Sequence, residues 1–114
     1  MQVPFTKMQG LGNDFVIFDA RTASLPALNW QHIAHRREGI GCDQVIVLEN
    51  SHQANVKMRI INADGSEVEA CGNATRCVAA LVGTAIVDIE TLAGILHCQV
   101  EDTQVSVEMG IPQF

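Results

Sequence analysis

The run CVAALV, residues 77–82, places apolar side chains all around a helix. A helix without a polar side is stable only when protein surrounds it. Most of the remaining sequence consists of short apolar or alternating runs bounded by turn residues, which indicate strands. The sequence therefore predicts an α+β fold in which a mostly antiparallel sheet wraps around or covers one buried helix.

The predicted strands and helices have recognisable ends. A second helix is expected over residues 28–39, with Asn29 as its N-cap and Gly39 after its basic last turn. The buried helix is expected to end at Gly83. Strands are predicted over residues 3–8, 14–19, 44–50, 55–62, 84–91, 94–100 and 104–109.

Length and charge limit the classes of function. The 114 residues predict one domain, 1–114, and the net charge of −6 with 7 basic residues argues against a nucleic-acid partner. No apolar run is long enough to cross a membrane, and the amino terminus lacks an apolar signal core. We therefore expect a soluble, cytoplasmic protein that binds neither nucleic acid nor membrane.

The four cysteines have several interpretations. In a cytoplasmic protein they are expected to be free thiols, and their spacing lacks the paired pattern of a structural metal site, so no metal is predicted. Cys42 and Cys77 are expected to be packed and unreactive. His32 and His35 lie three residues apart, but without a third ligand nearby they are expected to face solvent.

The segment NADGSEVEACGNATRC, residues 62–77, carries the clearest indication of chemistry. Gly72 and Asn73 are poor helix-interior residues, which puts Cys71 at the start of the buried helix. Free N–H groups there bind a carboxylate and lower a thiol pKa, an arrangement that suits proton removal beside a carboxylate. The residues alone leave Cys71 open between a catalyst and a filler of the helix start.

Other polar residues near turns are weaker candidates. Asn13 projects from the glycine turn GLGND, which lacks the third glycine of a dinucleotide-binding motif. Gln44 is placed at the mouth of a pocket, and Asn62 is placed where it can hold a polar group of a ligand. Glu67 and Glu69 could form an acid/base pair, but capping and solvation of a helix start explain them better.

Five segments together resemble the amino-terminal half of the diaminopimelate epimerase family. They are FTKMQGLGNDFVIFD, RREGIGCDQV, MRIINADGSEVEACGNATRC, IETLAG and EMGIPQF, in the family's order. The resemblance implies a two-domain enzyme of lysine biosynthesis, with each domain a curved, barrel-like sheet around a central helix. It also implies that the enzyme converts LL-diaminopimelate to meso-diaminopimelate without pyridoxal phosphate, another cofactor or a metal.

The same resemblance assigns roles to matching positions. Cys71 corresponds to one of two catalytic cysteines, and Gly72 and Asn73 bind substrate through the amides of the helix start. Further substrate contacts correspond to Asn13, Gln44 and Asn62.

The resemblance also implies that the second cysteine lies in a second domain beyond Phe114. We therefore expect this chain alone to be inactive and to form a homo-oligomer. Ala74 stands where the family commonly has glycine, which adds a β-carbon close to the bound carboxylate. Two alternatives are a truncated, non-catalytic, self-associating domain of the same fold, and part of a related racemase or isomerase with another substrate.

Overall fold

The computed structural model describes residues 5–10, 12–21, 25–37, 39–69, 72–83, 85–101 and 104–108. Within these ranges the chain forms two helices, α1 (Trp30–Ala34) and α2 (Gly72–Val82). The same ranges contain eight strands: β1 (Thr6–Gly10), β2 (Asn13–Asp19), β3 (Gln44–Glu49), β4 (Val56–Asn62), β5 (Glu67–Val68), β6 (Ile86–Thr91), β7 (Gly94–Glu101) and β8 (Gln104–Glu108).

The strands form one curled, mixed sheet in the order β1-β2-β3-β4-β6-β7-β8, with β5 paired to β4. Five of the seven pairings are antiparallel, as expected for a mostly antiparallel sheet. The pairs β2/β3 and β4/β6 are parallel. Parallel neighbours require a crossover connection, and α1 and α2 lie in the two crossovers.

Side chains of the central strands alternate between two apolar clusters. On one face, Phe15, Ile46 and Ile60 pack with Val78 of α2 in the larger cluster. On the opposite face, the smaller cluster joins strand residues to α1 and its flanking loops; its buried members are Val16, Phe18, Ala34, Cys42, Val45, Val47 and Ile61. Because β2 and β3 are buried on both faces, their sequences are continuous apolar runs.

Helix α2 lies against the sheet through Ala74, Cys77, Val78 and Ala79, which are buried. Ala80 and Leu81 are exposed, so the expectation of a helix surrounded on all sides holds for the sheet side only. The helix ends at Val82, as expected, and Gly83 follows with φ +80°. That left-handed conformation is accessible to glycine at little cost.

Helix α1 is shorter than the predicted 28–39. Its N-cap is Asn29, as predicted, and the Asn29 Oδ1 atom accepts a hydrogen bond from the His32 amide at 3.1 Å. The helix ends at Ala34 because His35 is extended, and the exposed Arg36 that follows contacts other parts of the chain. None of the helices within the described ranges has the length and apolar character needed to span a membrane.

Candidate functional site

Two of the predicted site residues meet across a strand pair. Gln44, the first residue of β3, is the register partner of Asn62, the last residue of β4. The Gln44 Nε2 group donates to Asn62 Oδ1 at 3.0 Å. The Asn62 Nδ2 group donates in turn to Ser66 Oγ at 3.3 Å. The antiparallel register thus brings both side-chain amides to one end of the sheet.

Asn13 begins the neighbouring strand β2, where Phe15 pairs with Gln44 in parallel register. It lines an open cavity of about 290 Å³ together with Gln9, Gly12, Asp14, Arg36 and Asp43. Among the described residues, neither Gln44 nor Asn62 belongs to this lining. The structure therefore brings Gln44 and Asn62 into contact and places Asn13 at the start of the adjacent strand.

A cluster of three charged residues, Asp14, Arg36 and Asp43, joins the starts of β2 and β3. The two Arg36 nitrogens Nη1 and Nη2 donate to the Asp14 carboxylate at 3.0 Å each, and Nη2 also donates to Asp43 at 3.1 Å. The Asp14 amide donates to Asp43 Oδ2 at 3.0 Å, and the Asp43 amide donates to Asp14 Oδ1 at 2.8 Å. These bonds tie together the residues next to Asn13 and Gln44.

The hydrogen bonds from Arg36 hold the pKa of Asp14 well below its ordinary value. Partial burial of Asp14 opposes this shift, and the hydrogen bond from the Asp43 amide adds to it. Lys7 Nζ lies 3.8 Å from Asp14 Oδ2 as a further positive charge. The Asp14 carboxylate therefore stays ionised at neutral pH, where it attracts the positive charges of Arg36 and Lys7.

The start of α2 carries the remaining predicted positions. Gly72 is its first residue and Asn73 its second, so their amides belong to the first turn, where N–H groups have no partner within the helix. Cys71 lies outside the described residues. Gly72 follows Val68 of β5 by four residues, which bounds their Cα separation at about 14 Å. Val68 itself pairs with Ile60, two residues before Asn62.

Ala74, two residues into α2 from Gly72, is fully buried in the larger apolar cluster. Its methyl group therefore packs against the sheet. This location gives the alanine a stabilising role in the core, which a glycine at the same position would lack.

The remaining candidates have ordinary surroundings. Glu67 accepts from Arg59 Nε at 2.8 Å, and Glu69 is exposed, which agrees with a surface role for both. His32 and His35 are exposed, as expected. Within the described part of the chain, no three His, Cys, Asp or Glu side chains are grouped so that they could hold a metal ion.

The described cysteines Cys42, Cys77 and Cys98 are buried and form no disulfide with one another. Burial raises the pKa of the Cys42 and Cys98 thiols above its ordinary value, which lowers the fraction of reactive thiolate. The prediction that Cys42 and Cys77 are packed is confirmed.

Four residues around the site were not among the sequence predictions: Arg36, Asp43, Asp64 and Ser66. Asp64 and Ser66 form a turn in which Asp64 Oδ1 accepts from the Ser66 amide at 2.8 Å. The run NADGS does predict such an Asp-centred turn. No sequence pattern predicts the contact of Arg36 with Asp14 and Asp43, because that contact depends on the parallel pairing of β2 with β3.

A curled sheet wound around one helix defines the class of fold, and solved structures share it. A protein of the phenazine biosynthesis PhzF family from Enterococcus faecalis aligns with a TM-score of 0.69 and 17% identity, covering 90% of this chain and 42% of that one. A hydroxyproline epimerase from Agrobacterium vitis, solved with bound trans-4-hydroxy-L-proline, aligns with a TM-score of 0.66 and 15% identity, covering 92% and 40%. At these identities the likeness shows the fold.

The family follows from sequence. The family model for diaminopimelate epimerase matches residues 5–114, and the chain belongs to that family. It is 56% identical to a diaminopimelate epimerase of Rhizorhabdus wittichii, covering all of this chain and 42% of the relative. It is 60% identical to one from Sphingopyxis alaskensis, covering 96% and 41%. The chain thus spans about two fifths of the length of these relatives, in agreement with the predicted amino-terminal half.

Proposed function

We propose that this chain supplies one half of the active site of a diaminopimelate epimerase, an isomerase that interconverts LL- and meso-diaminopimelate in lysine biosynthesis. The observation that carries the proposal is the family match over residues 5–114. Fold-level likeness to a hydroxyproline epimerase supports the broader class of reaction, inversion at a carbon beside a carboxylate.

Cys71 is the proposed base of this half. Its thiolate takes the α-proton of the substrate, and the proton passes to sulfur as the α-carbon becomes a carbanion. The amides of Gly72 and Asn73 hold the substrate carboxylate, where negative charge develops, because a helix start attracts anions. The same amides lower the thiol pKa, so that Cys71 needs neither a metal nor another cofactor to act near neutral pH.

Asn13, Gln44 and Asn62 are the proposed substrate contacts. The contact of Gln44 with Asn62 supports a shared role for these two amides. Asn13 stands two residues before Phe15, the register partner of Gln44, which supports a position at the same edge of the site.

Inversion needs a second group that protonates the opposite face of the carbanion. The described cysteines are buried, and Glu67 is paired with Arg59, which leaves them poorly suited to this step. We assign the second thiol to the portion of the relatives that this chain does not span. The chain alone is therefore expected to lack epimerase activity.

A chimeric enzyme tests the assignment. This chain is fused to the remaining portion of the Rhizorhabdus wittichii relative, and inversion of LL-diaminopimelate is measured beside trans-4-hydroxy-L-proline. The chimera is expected to invert diaminopimelate, and Cys71→Ala is expected to lower kcat by about 10²–10⁴-fold or more, the usual cost of losing a positioned base.

Cys77→Ala is the matched control, because Cys77 lies on α2 but packs into the core. It is expected to keep kcat. Full activity in the Cys71→Ala chimera would reject Cys71 as the base, and preference for the proline substrate would reject the assigned substrate.

A further inference from the structure

Hydrogen bonds hold the turn between β4 and β5 beside Asn62. The Asn62 amide donates to Ser66 O at 2.7 Å, and the Gly65 amide donates to Asn62 O at 2.9 Å. Gln31 of α1 donates through Nε2 to the main-chain oxygen of Asp64. These bonds tie the turn to Asn62 and to α1, and side-chain hydrogen bonds extend from it towards Gln44.

Asp64 determines where the only proton of the Ser66 hydroxyl points. Ser66 Oγ donates to Asp64 Oδ1 at 2.6 Å, and the hydrogen bonds from Ser66 lower the pKa of the Asp64 carboxyl. An ionised carboxylate has no proton to give, so the hydroxyl must be the donor in this contact. Ser66 Oγ can then only accept from Asn62.

The direction of the Ser66 hydrogen bond determines which atoms of the next two side-chain amides donate and which accept. Since Ser66 Oγ is an acceptor, Asn62 has to present its Nδ2 group to it, at 3.3 Å. The opposite end of that amide, Oδ1, then faces Gln44, which has to present its Nε2 group, at 3.0 Å. The remaining atom, Gln44 Oε1, is buried and has no hydrogen-bond partner among the described residues.

We infer that Asp64 and Ser66 are positioning residues that fix the amide orientation of Asn62 and, through it, of Gln44, so that Gln44 Oε1 accepts a hydrogen bond from a ligand. A buried acceptor without a partner is costly, and a donor group on a ligand removes that cost. That the donor is an ammonium group of an amino acid rests on the proposed function, whereas the orientation of the two amides does not.

The test replaces the amide of Gln44 by a carboxylate. We call the chain of hydrogen bonds from Asp64 through Ser66 and Asn62 to residue 44 the relay. In Gln44→Glu, both carboxylate oxygens are acceptors, and the relay directs Asn62 Oδ1 at them. The pKa of the introduced carboxyl group, followed by NMR titration of the labelled chain, is therefore expected above the ordinary value of about 4.3. Adding Ser66→Ala frees Asn62 to turn its Nδ2 group towards the carboxylate, and the pKa is expected to fall by about 0.7 unit, equivalent to one ordinary hydrogen bond.

Three further substitutions, each combined with Gln44→Glu, distinguish an effect of the relay from an effect on the stability of the turn. Ser66→Thr keeps the hydroxyl. In Asp64→Asn, the Ser66 amide, which donates to Asp64 Oδ1 at 2.8 Å, should keep the amide oxygen in place to accept from that hydroxyl. Both variants are therefore expected to leave the raised pKa unchanged. Asp64→Ala releases the hydroxyl proton and is expected to act like Ser66→Ala. An identical pKa of the introduced group in all of these backgrounds would overturn the inference.

A single substitution decides the question if the double variants do not fold. In Ser66→Ala alone, the Gln44 Nε2 protons are expected to exchange with solvent about fivefold faster, the factor that one ordinary hydrogen bond supplies. Unchanged exchange would equally overturn the inference. Neither measurement uses a substrate, so a failed epimerase assay leaves the relay standing, and a failed relay leaves the proposed function standing.

Discussion

Single residues set the geometry between β2 and β3. Arg36 bridges Asp14 and Asp43, and the two aspartates also bond each other's amides. Asp14 precedes the apolar run of β2 and has a side chain only 13% exposed, so its charge depends on this partner. The cluster thus fixes the backbone next to Asn13 and Gln44.

Replacing Arg36 should therefore weaken the fold in a pH-dependent way. Arg36→Met is expected to lower the free energy of unfolding near pH 7, because Asp14 loses the hydrogen bonds that stabilise its ionised form. Because the folded pKa of Asp14 is depressed, its contribution is complete above the ordinary aspartate pKa and is lost as the pH falls below about 4.

Urea unfolding at several pH values measures this effect. The difference between Arg36→Met and the unsubstituted chain should shrink as the pH falls from about 5 to 2. Arg37→Met, at an exposed neighbour, is the control and should change little. A difference that stays constant with pH would contradict the assigned role.

Thiol reactivity distinguishes Cys71 from the three buried cysteines. Cys42, Cys77 and Cys98 are buried, and for Cys42 and Cys98 burial also raises the pKa, so alkylation by iodoacetamide should label Cys71 first. Peptide mapping after short labelling measures the order. Cys71→Ser is the control and should leave the native chain almost unlabelled, whereas faster labelling of a buried cysteine would count against the proposed base.

Among the helices and strands, the sequence predicted most of the element ends but fewer of the strand pairings. Asn29 and Gly83 have local geometries that their residue types favour, so the ends that depend on them were correct. Helix α1 stopped short of its predicted end because Arg36 binds distant aspartates, and no local preference reports such contacts. The parallel pairing of β2 with β3 could not be predicted either. The pattern of apolar residues shows which side chains of a strand face the core, but it does not show which strands are paired.

In the candidate site too, the sequence predicted single residues but not the contacts between them. Gln44 and Asn62 were predicted separately from their positions near turns, and the antiparallel register of β3 and β4 brought them together. The relay through Ser66 depends on distances that residue types alone do not determine.

Helix α2 offers a matched comparison of burial. Ala74→Gly removes a buried methyl group and a favourable helix residue, so it is expected to cost about 2 kcal/mol. Ala80→Gly removes an exposed methyl group from the same helix and should cost about 1 kcal/mol. Denaturant unfolding of both variants gives the comparison, and equal costs would show that Ala74 contributes little to the core.

At the scale of the whole molecule, apolar side chains remain uncovered. Leu81 is 39% exposed, Ile86 66% and Leu92 57%. Strands β1 and β8 also end the order of the sheet within the described residues. Open edges and exposed apolar groups favour association.

We therefore expect the chain to self-associate. Light scattering across a concentration series should give a dimer or a larger assembly, and Leu81→Lys should shift the equilibrium towards monomer. Arg76→Lys, another exposed position of α2, is the control and should not. A clean monomer at high concentration would contradict the expectation.

We propose that this chain holds one base of a two-base site. The most direct measurement incubates the chain with LL-diaminopimelate in deuterated water and follows both the stereochemistry and the deuterium content of the α-carbon. We expect no inversion, and at most slow deuterium uptake that Cys71→Ala abolishes, because one thiol serves one face of the α-carbon. Efficient inversion by this chain that disappears in Cys71→Ala would contradict it.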